Sequence, residues 1–412
     1  MGLFSRDRLG ALLHKACLVG VTAALTGSVG AFFLWSLDAV TRLRFAGPWL
    51  LWTLPILGLG VAWLYQKAGR GSERGTGLIL DEIHAPGGGV PMRMAPIILA
   101  GTLATHLGGG SAGREGTAVQ IGGSLAAGVV RWLKGSPEAH PGLLMAGVAA
   151  GFGAVFGTPW AGSVFAVEVL RQRTGRWQEW PWCLAAALPA DRICQAWGAQ
   201  HTLWPPMDSW ILADTGLWFK VGLAAVAFGV LARGLVSGAH AIQDLMLRLV
   251  PSPLLRPVIG GLVVIGLVFV SGTRDYLGLG TLPAVPGELA LASFFGESTL
   301  VPVWAWAWKL VFTLATVGCG FKGGEVTPLF FMGAALGHTL GGCLGLPAPG
   351  LASLGMVATF AAAAGTPAAC FLMGIELFGP GLALPMAAAC GIAAFLNPRS
   401  LYHPPPRLAS EP

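Results

Sequence analysis

Between Val326 and Pro398 only one charged side chain occurs, Glu376. A soluble domain shows charge along nearly every element it exposes, so an uncharged stretch this long belongs in a lipid bilayer. The whole chain shares this character. Of its 412 residues, 54% are hydrophobic and 11% charged, against roughly 25% charged in an average soluble domain, and the mean hydropathy is +0.68. The 62 Gly and 29 Pro add a second constraint: the fold class is an all-α polytopic membrane protein whose helices are short, broken and closely packed. The net charge of +6 comes from basic residues scattered near segment ends. That distribution argues against a nucleic-acid partner and fits cytoplasmic loops facing anionic lipid.

Uncharged runs long enough to cross a bilayer extend from Ala16 to Leu37, Phe45 to Gln66, Pro257 to Thr273 and Leu377 to Pro398. Arg6, Arg8 and Lys15 precede the first run as they would in a signal peptide, but its length of about 22 residues suits a spanning helix. Elsewhere Gly and Pro cut the apolar sequence into pieces: Gly75 to Leu80, Ala95 to Leu107, Thr117 to Val130, Leu143 to Phe156, Pro159 to Val167 and Val326 to Gly342. Pieces of that length are expected as re-entrant or half-crossing helices buried in protein. The basic clusters Arg6/Arg8/Lys15, Lys67/Arg70/Arg74 and Arg171/Arg173/Arg176 are placed on the cytoplasmic side, which leaves Arg42 and Arg44 outside. A loop from Gln200 to Gly216 divides the chain in two. The expected organisation is therefore a cytoplasmic segment over residues 1–15, a first transmembrane repeat over 16–205, a second over 206–402 and a short tail over 403–412. Seven cysteines without CxxC or metal-ligand spacing read as small buried hydrophobes, and the eight histidines show no metal-binding spacing.

The two halves resemble each other. Gly110, Gly113, Glu115 and Thr117 align with Gly320, Gly323, Glu325 and Thr327, and Gly123 follows with Gly333. A second block repeats in the same order: Gly147 with Gly355, Phe152 with Phe360, Gly157-Thr-Pro159 with Gly365-Thr-Pro367, and Glu168 with Glu376. In a membrane protein such duplication points to a transporter with a binding site where the repeats meet.

In each copy of the first block, glycines and then an acid open an apolar helix. The start of a helix offers unpaired N–H groups and the positive end of the macrodipole, so it attracts an anion without a full positive charge, and lets it leave again. Close helix packing is the alternative use of such glycines. Glu115 and Glu325 are costly inside a membrane, which makes them candidates for proton transfer or ion binding; salt bridges to Arg114 and Lys322 are the structural alternatives. Glu168 and Glu376 end their helices and read as interfacial. Thr76, Thr117 and Thr327 suit either helix capping or anion binding. Tyr402, near the end of the last segment, suits a headgroup anchor.

Gly113-Arg-Glu-Gly116, Gly324-Glu-Val-Thr-Pro328 and Gly75-Thr-Gly-Leu-Ile79 together resemble the CLC family of anion channels and proton-coupled antiporters, over about Leu12 to Tyr402. In detail they look like its fluoride-transporting branch. The resemblance implies a homodimer with two antiparallel, inverted helical repeats and an anion pathway in each subunit. It implies that Glu115 is the gating acid and that Glu325 and Thr327 are the branch's second acid and its hydroxyl neighbour. It further implies that Tyr402 and Thr76 line the anion path with Gly113, Arg114, Gly116, Thr117, Gly324 and Val326. Three positions depart from the pattern. Val169 stands where many exchangers carry an internal proton-relay acid, so Glu325 is expected to serve instead. Ile79 replaces a usual Pro, and Thr76 keeps the hydroxyl of chloride-selective members where the fluoride branch often has Met or Asn. The residues after Tyr402 are expected to leave no room for a cytoplasmic regulatory domain.

The expected function is fluoride/proton antiport across a prokaryotic inner membrane, with lipid, fluoride and protons as partners and no cofactor. A chloride/proton exchanger or passive chloride channel is the alternative. No nucleophile with an adjacent base, metal cluster or cofactor fingerprint marks an enzyme. A cation symporter would present carbonyl ends at its helix breaks, whereas these breaks present N-termini.

Overall fold

The structure is a computed structural model that describes residues 6–133, 135, 140–170, 176–281, 283, 288–296, 301–397 and 400–402, with side chains from residue 9. Arg171 and Arg173, the side chains of Arg6 and Arg8, and the tail over 403–412 therefore lie outside the described residues. Among the described residues the main regular elements are α-helices: α1 (Arg6–Ala46), α2 (Leu54–Ala68), α3 (Thr76–His84), α4 (Met94–Leu107), α5 (Glu115–Trp132), α6 (His140–Phe156), α7 (Pro159–Glu168), α8 (Trp180–Ala196), α9 (Thr215–Leu249), α10 (Leu255–Ser271), α11 (Ala305–Val317), α12 (Val326–Leu344), α13 (Ala348–Ala364), α14 (Pro367–Phe378) and α15 (Ala383–Phe395). Each short segment expected from the Gly/Pro punctuation is present as α3, α4, α5, α6, α7 or α12.

Among the described residues, three stretches are long and apolar enough to cross a membrane: Leu9–Ala46, Pro48–Ala68 and Thr215–Leu249. The first contains the expected span Ala16 to Leu37, and the second overlaps the expected Phe45 to Gln66, whose first two residues belong instead to α1. The third was not foreseen, because Lys220 and Arg233 interrupt its apolar run. Asp214 starts this helix by accepting from the Gly216 N–H at 2.8 Å. Its inward stripe, including Val221, Phe228 and Leu235, is buried while Phe219 and Val230 point outward. Large apolar side chains on the outside of a helix that also buries an apolar stripe suit lipid, not water. The expected span from Leu377 to Pro398 is corrected: Gly379, at φ 76°, followed by Pro380, separates α14 from α15. A positive φ and a missing N–H end the first helix there, outweighing continuous hydrophobicity. The cysteine expectation is also corrected in part, since Cys17 and Cys343 are exposed.

The chain divides into two compact units. The first comprises Met1–Ser36, Lys67–Leu99 and Thr117–His201; the second comprises Leu37–Gln66, Ala100–Gly116 and Thr202–Pro412. In the first, α5 and α6 approach until backbones touch: a Cβ on Gly122 would overlap the Gly147 carbonyl, and one on Gly151 would overlap that of Ala118. In the second, α12 and α13 do the same through Gly333 and Gly355. Small residues allow this packing, which in lipid must supply association without a hydrophobic driving force.

Each unit also holds one copy of the Gly-Thr-Pro turn. Gly157 and Gly365 have φ 72° and 71°. Thr158 (φ −128°, ψ 70°) and Thr366 (φ −127°, ψ 65°) then lead into Pro159 and Pro367, which open α7 and α14. Proline suits this first helical position because its missing N–H would have no partner there. Duplicated sequence thus gives duplicated backbone.

Candidate functional site

The second unit contains the loop that ends α4 and opens α5. It is held on several sides. His106, in the last turn of α4, reaches the Ala112 carbonyl at 3.0 Å. The Ser111 N–H donates to the Thr316 hydroxyl at 3.0 Å, and the Gly278 N–H donates to the Gly109 carbonyl at 3.2 Å. Its last residues pair with the corresponding turn before α12. Gly113 and Gly324 form an isolated antiparallel bridge, exchanging both backbone hydrogen bonds. The helix starts of α5 and α12 therefore meet tip to tip. The approach leaves no room for side chains, since a Cβ on Gly324 would lie 2.7 Å from the Gly116 nitrogen.

At this junction the Glu115 side chain, only 2% exposed, turns toward α12. Its carboxylate accepts from the Thr327 N–H at 3.0 Å, from the Thr327 hydroxyl, and from the Arg114 N–H at 3.0 Å. Arg114 Nε lies 3.6 Å from the same carboxylate. The first N–H groups of a helix have no partner within it, and the dipole makes them favour negative charge. The Glu115 carboxylate thus occupies, at the start of α12, a place that suits a small anion. Glu115 thus pairs with Arg114 and also spans to Thr327.

Glu325 is half-buried beside this junction: its Oε2 would lie 4.0 Å from a Cβ on Gly116. Tyr402 is buried, not a headgroup anchor. Its segment is tied to the end of α13, where the Leu401 N–H donates to Ala363 and the Ser400 hydroxyl to Ala364. The second unit thereby brings together Gly113, Arg114, Glu115, Gly116, Gly324, Glu325, Val326 and Thr327.

Thr76 and Thr117 belong to the first unit. Thr76 opens α3 after Gly75, and Thr117 lies in the first turn of α5; both are buried. Val169, buried, closes the last turn of α7 through its N–H to the Phe165 carbonyl. Glu168 and Glu376 are half-buried near the ends of α7 and α14. Sequence reasoning passed over Lys309, which is fully buried in α11 and donates to the carbonyls of Tyr276 and Gly278 at 3.1 and 2.9 Å. A lone Lys in an apolar run was the available signal.

Comparison with known proteins supplies independent findings. The profile of the voltage gated chloride channel family matches residues 57–397. A chloride/fluoride channel protein of Pseudomonas syringae pv. tomato is 41% identical over 401 residues, covering 96% of this chain and 87% of its own. The crystal structure of a CLC-type fluoride/proton antiporter superposes with a TM-score of 0.90 at 32% identity, over 97% of this chain and 98% of that one. A slow cyanobacterial Cl−/H+ antiporter superposes at 0.80 with 20% identity, over 93% and 94% of the two chains, which shows the shared fold.

Proposed function

Since the chain belongs to the voltage-gated chloride channel family, whose members are multi-pass membrane channels and transporters, we propose that it exchanges fluoride for protons. The observation that carries this reading is the Glu115 carboxylate on the amide and hydroxyl of Thr327. An ionised carboxylate and a fluoride ion compete for the same donors. Protonation removes the charge that holds Glu115 there, so the side chain leaves and the anion enters. The proton then moves with Glu115 and the fluoride moves against it. Glu325, next to the junction, passes protons between Glu115 and the inner solution in place of an acid at position 169.

Fluoride is small and strongly hydrated, so its site must offer several short hydrogen bonds to offset dehydration. The hydroxyls of Thr327 and Tyr402 and the helix-start amides of Arg114, Gly116 and Val326 are the donors assigned to it. The protein works as a homodimer in a bacterial inner membrane, where the inward proton gradient drives export. The similarity to a fluoride/proton antiporter at 32% identity supports this over chloride exchange. The Thr76 hydroxyl favours the second reading, a chloride exchanger. Proteoliposomes loaded with equal fluoride or chloride separate the two. Fluoride efflux well above chloride efflux is expected, and equal efflux would move the protein to the chloride reading.

A further inference from the structure

Within the second unit, one face of α11 is polar and turned toward the loop that opens α5. Lys309, Thr313 and Thr316 stand at i, i+4 and i+7 and are fully buried. The Lys309 ammonium donates to the Gly278 carbonyl at 2.9 Å, and the Gly278 N–H in turn donates to the Gly109 carbonyl at 3.2 Å. Both threonines meet Ser111, itself fully buried. The Thr316 hydroxyl lies 3.0 Å from the Ser111 nitrogen, and the Thr313 hydroxyl lies 3.0 Å from the Ser111 hydroxyl. A hydroxyl has a single proton to give. Thr316 gives its own to the Phe312 carbonyl and Thr313 gives its own to the Lys309 carbonyl, each at 2.8 Å. Toward Ser111 both are therefore acceptors, one for its N–H and one for its O–H.

Thr316 holds the other turn as well. Its carbonyl accepts from the Phe321 N–H at 3.3 Å, in the turn that opens α12, and a Cβ on Gly110 would come within 3.1 Å of its methyl group. One residue thus fastens both loops just before Gly113 pairs with Gly324. We propose that Thr316 is a positioning residue for the gate: through Ser111, its hydroxyl fixes the start of α5 where the Glu115 carboxylate reaches the amide and hydroxyl of Thr327. Thr313 supports it through the Ser111 hydroxyl. An ionised Glu115 held in that place keeps the anion out until a proton arrives. If the start of α5 shifts, the carboxylate leaves while still charged and fluoride passes without a proton. The Thr316 hydroxyl therefore suppresses leak; it does not set turnover. The inference rests on Glu115 acting as the gate.

The test is fluoride efflux from proteoliposomes, with proton movement recorded on the same vesicles and the membrane potential clamped. T316V keeps the shape of the side chain and the carbonyl bond to Phe321 but removes the acceptor for the Ser111 N–H. Loss of one hydrogen bond moves an equilibrium by about fivefold, so fluoride flux unaccompanied by protons should rise about fivefold in T316V. T316S keeps the acceptor and should keep the wild-type leak. T313V removes the acceptor for the Ser111 hydroxyl and should raise the leak in the same direction, and it decides the matter if T316V does not fold. An unchanged leak in T316V, whatever its total flux, overturns the inference and leaves Thr316 a packing residue. A leak in T316S equal to that of T316V does the same. E115Q run alongside separates the two levels. Wild-type coupling in E115Q overturns the gating role of Glu115 and the inference with it, whereas lost coupling in E115Q beside an unchanged T316V leak overturns the inference alone.

Discussion

The Glu115 carboxylate, at the first residue of α5, accepts a hydrogen bond from the backbone N–H of Thr327, in the first turn of α12, at 3.0 Å across a separation of 212 residues. Glu115 thereby serves the start of a helix it does not belong to. Only an ionisable side chain can both imitate an anion there and carry a proton away. Replacing Glu115 with Gln should abolish proton coupling, with fluoride flux stopped or made passive. Parallel fluoride-electrode and pH recordings on the variant check this, and full coupled exchange in E115Q would remove Glu115 from the gating role.

Glu325 should be needed for turnover. Glu325→Gln keeps the shape of the turn before α12 while removing the second titratable group, so proton uptake is expected to fall to background with the protein still folded. Wild-type proton coupling in this variant would reduce Glu325 to a structural residue.

The Thr327 hydroxyl contributes one donor to the Glu115 cradle and its N–H another. Thr327→Val removes the first and keeps the second. A net hydrogen bond to a charged group is worth about 1.5 kcal/mol, so fluoride binding measured by calorimetry should weaken roughly tenfold. Unchanged affinity would take the hydroxyl out of the fluoride site.

Gly324→Ala tests the tip-to-tip junction itself. Its Cβ would lie 2.7 Å from the Gly116 nitrogen and 3.2 Å from that of Glu115. Backbone cannot yield cheaply at that distance, so the variant should melt several degrees lower in detergent and lose fluoride binding. Wild-type melting and binding would show that the two helix starts tolerate separation.

Much of this arrangement is legible in the residues. Glycines before an acid at the start of an apolar helix foretell both exposed amides and a buried charge, and the repeat foretells a second copy. The Gly-Thr-Pro turns foretell where α7 and α14 begin, because proline prefers the first helical position. What is not legible is long-range. Gly113 pairs with Gly324, one residue out of register with its repeat counterpart Gly323. The reach of Glu115 to Thr327 follows from that pairing, which no local pattern encodes. Lys309 was hidden for the opposite reason: its run is apolar enough to mask it, and only the fold supplies the Tyr276 and Gly278 carbonyls that satisfy it. The long helix α9 escaped because Lys220 and Arg233 break its charge-free count, while the break at Gly379 escaped because hydrophobicity runs on through it.

The exchange of a carboxylate for an anion at the start of α12 is tested most directly by recording fluoride and proton movement together, on one preparation of wild-type proteoliposomes with an outward fluoride gradient and no initial pH gradient. Fluoride leaving should drive protons inward, acidifying the vesicle interior until the two gradients balance. Fluoride leaving while the internal pH stays constant, with the membrane potential clamped, would contradict the exchange and make the protein a passive anion channel.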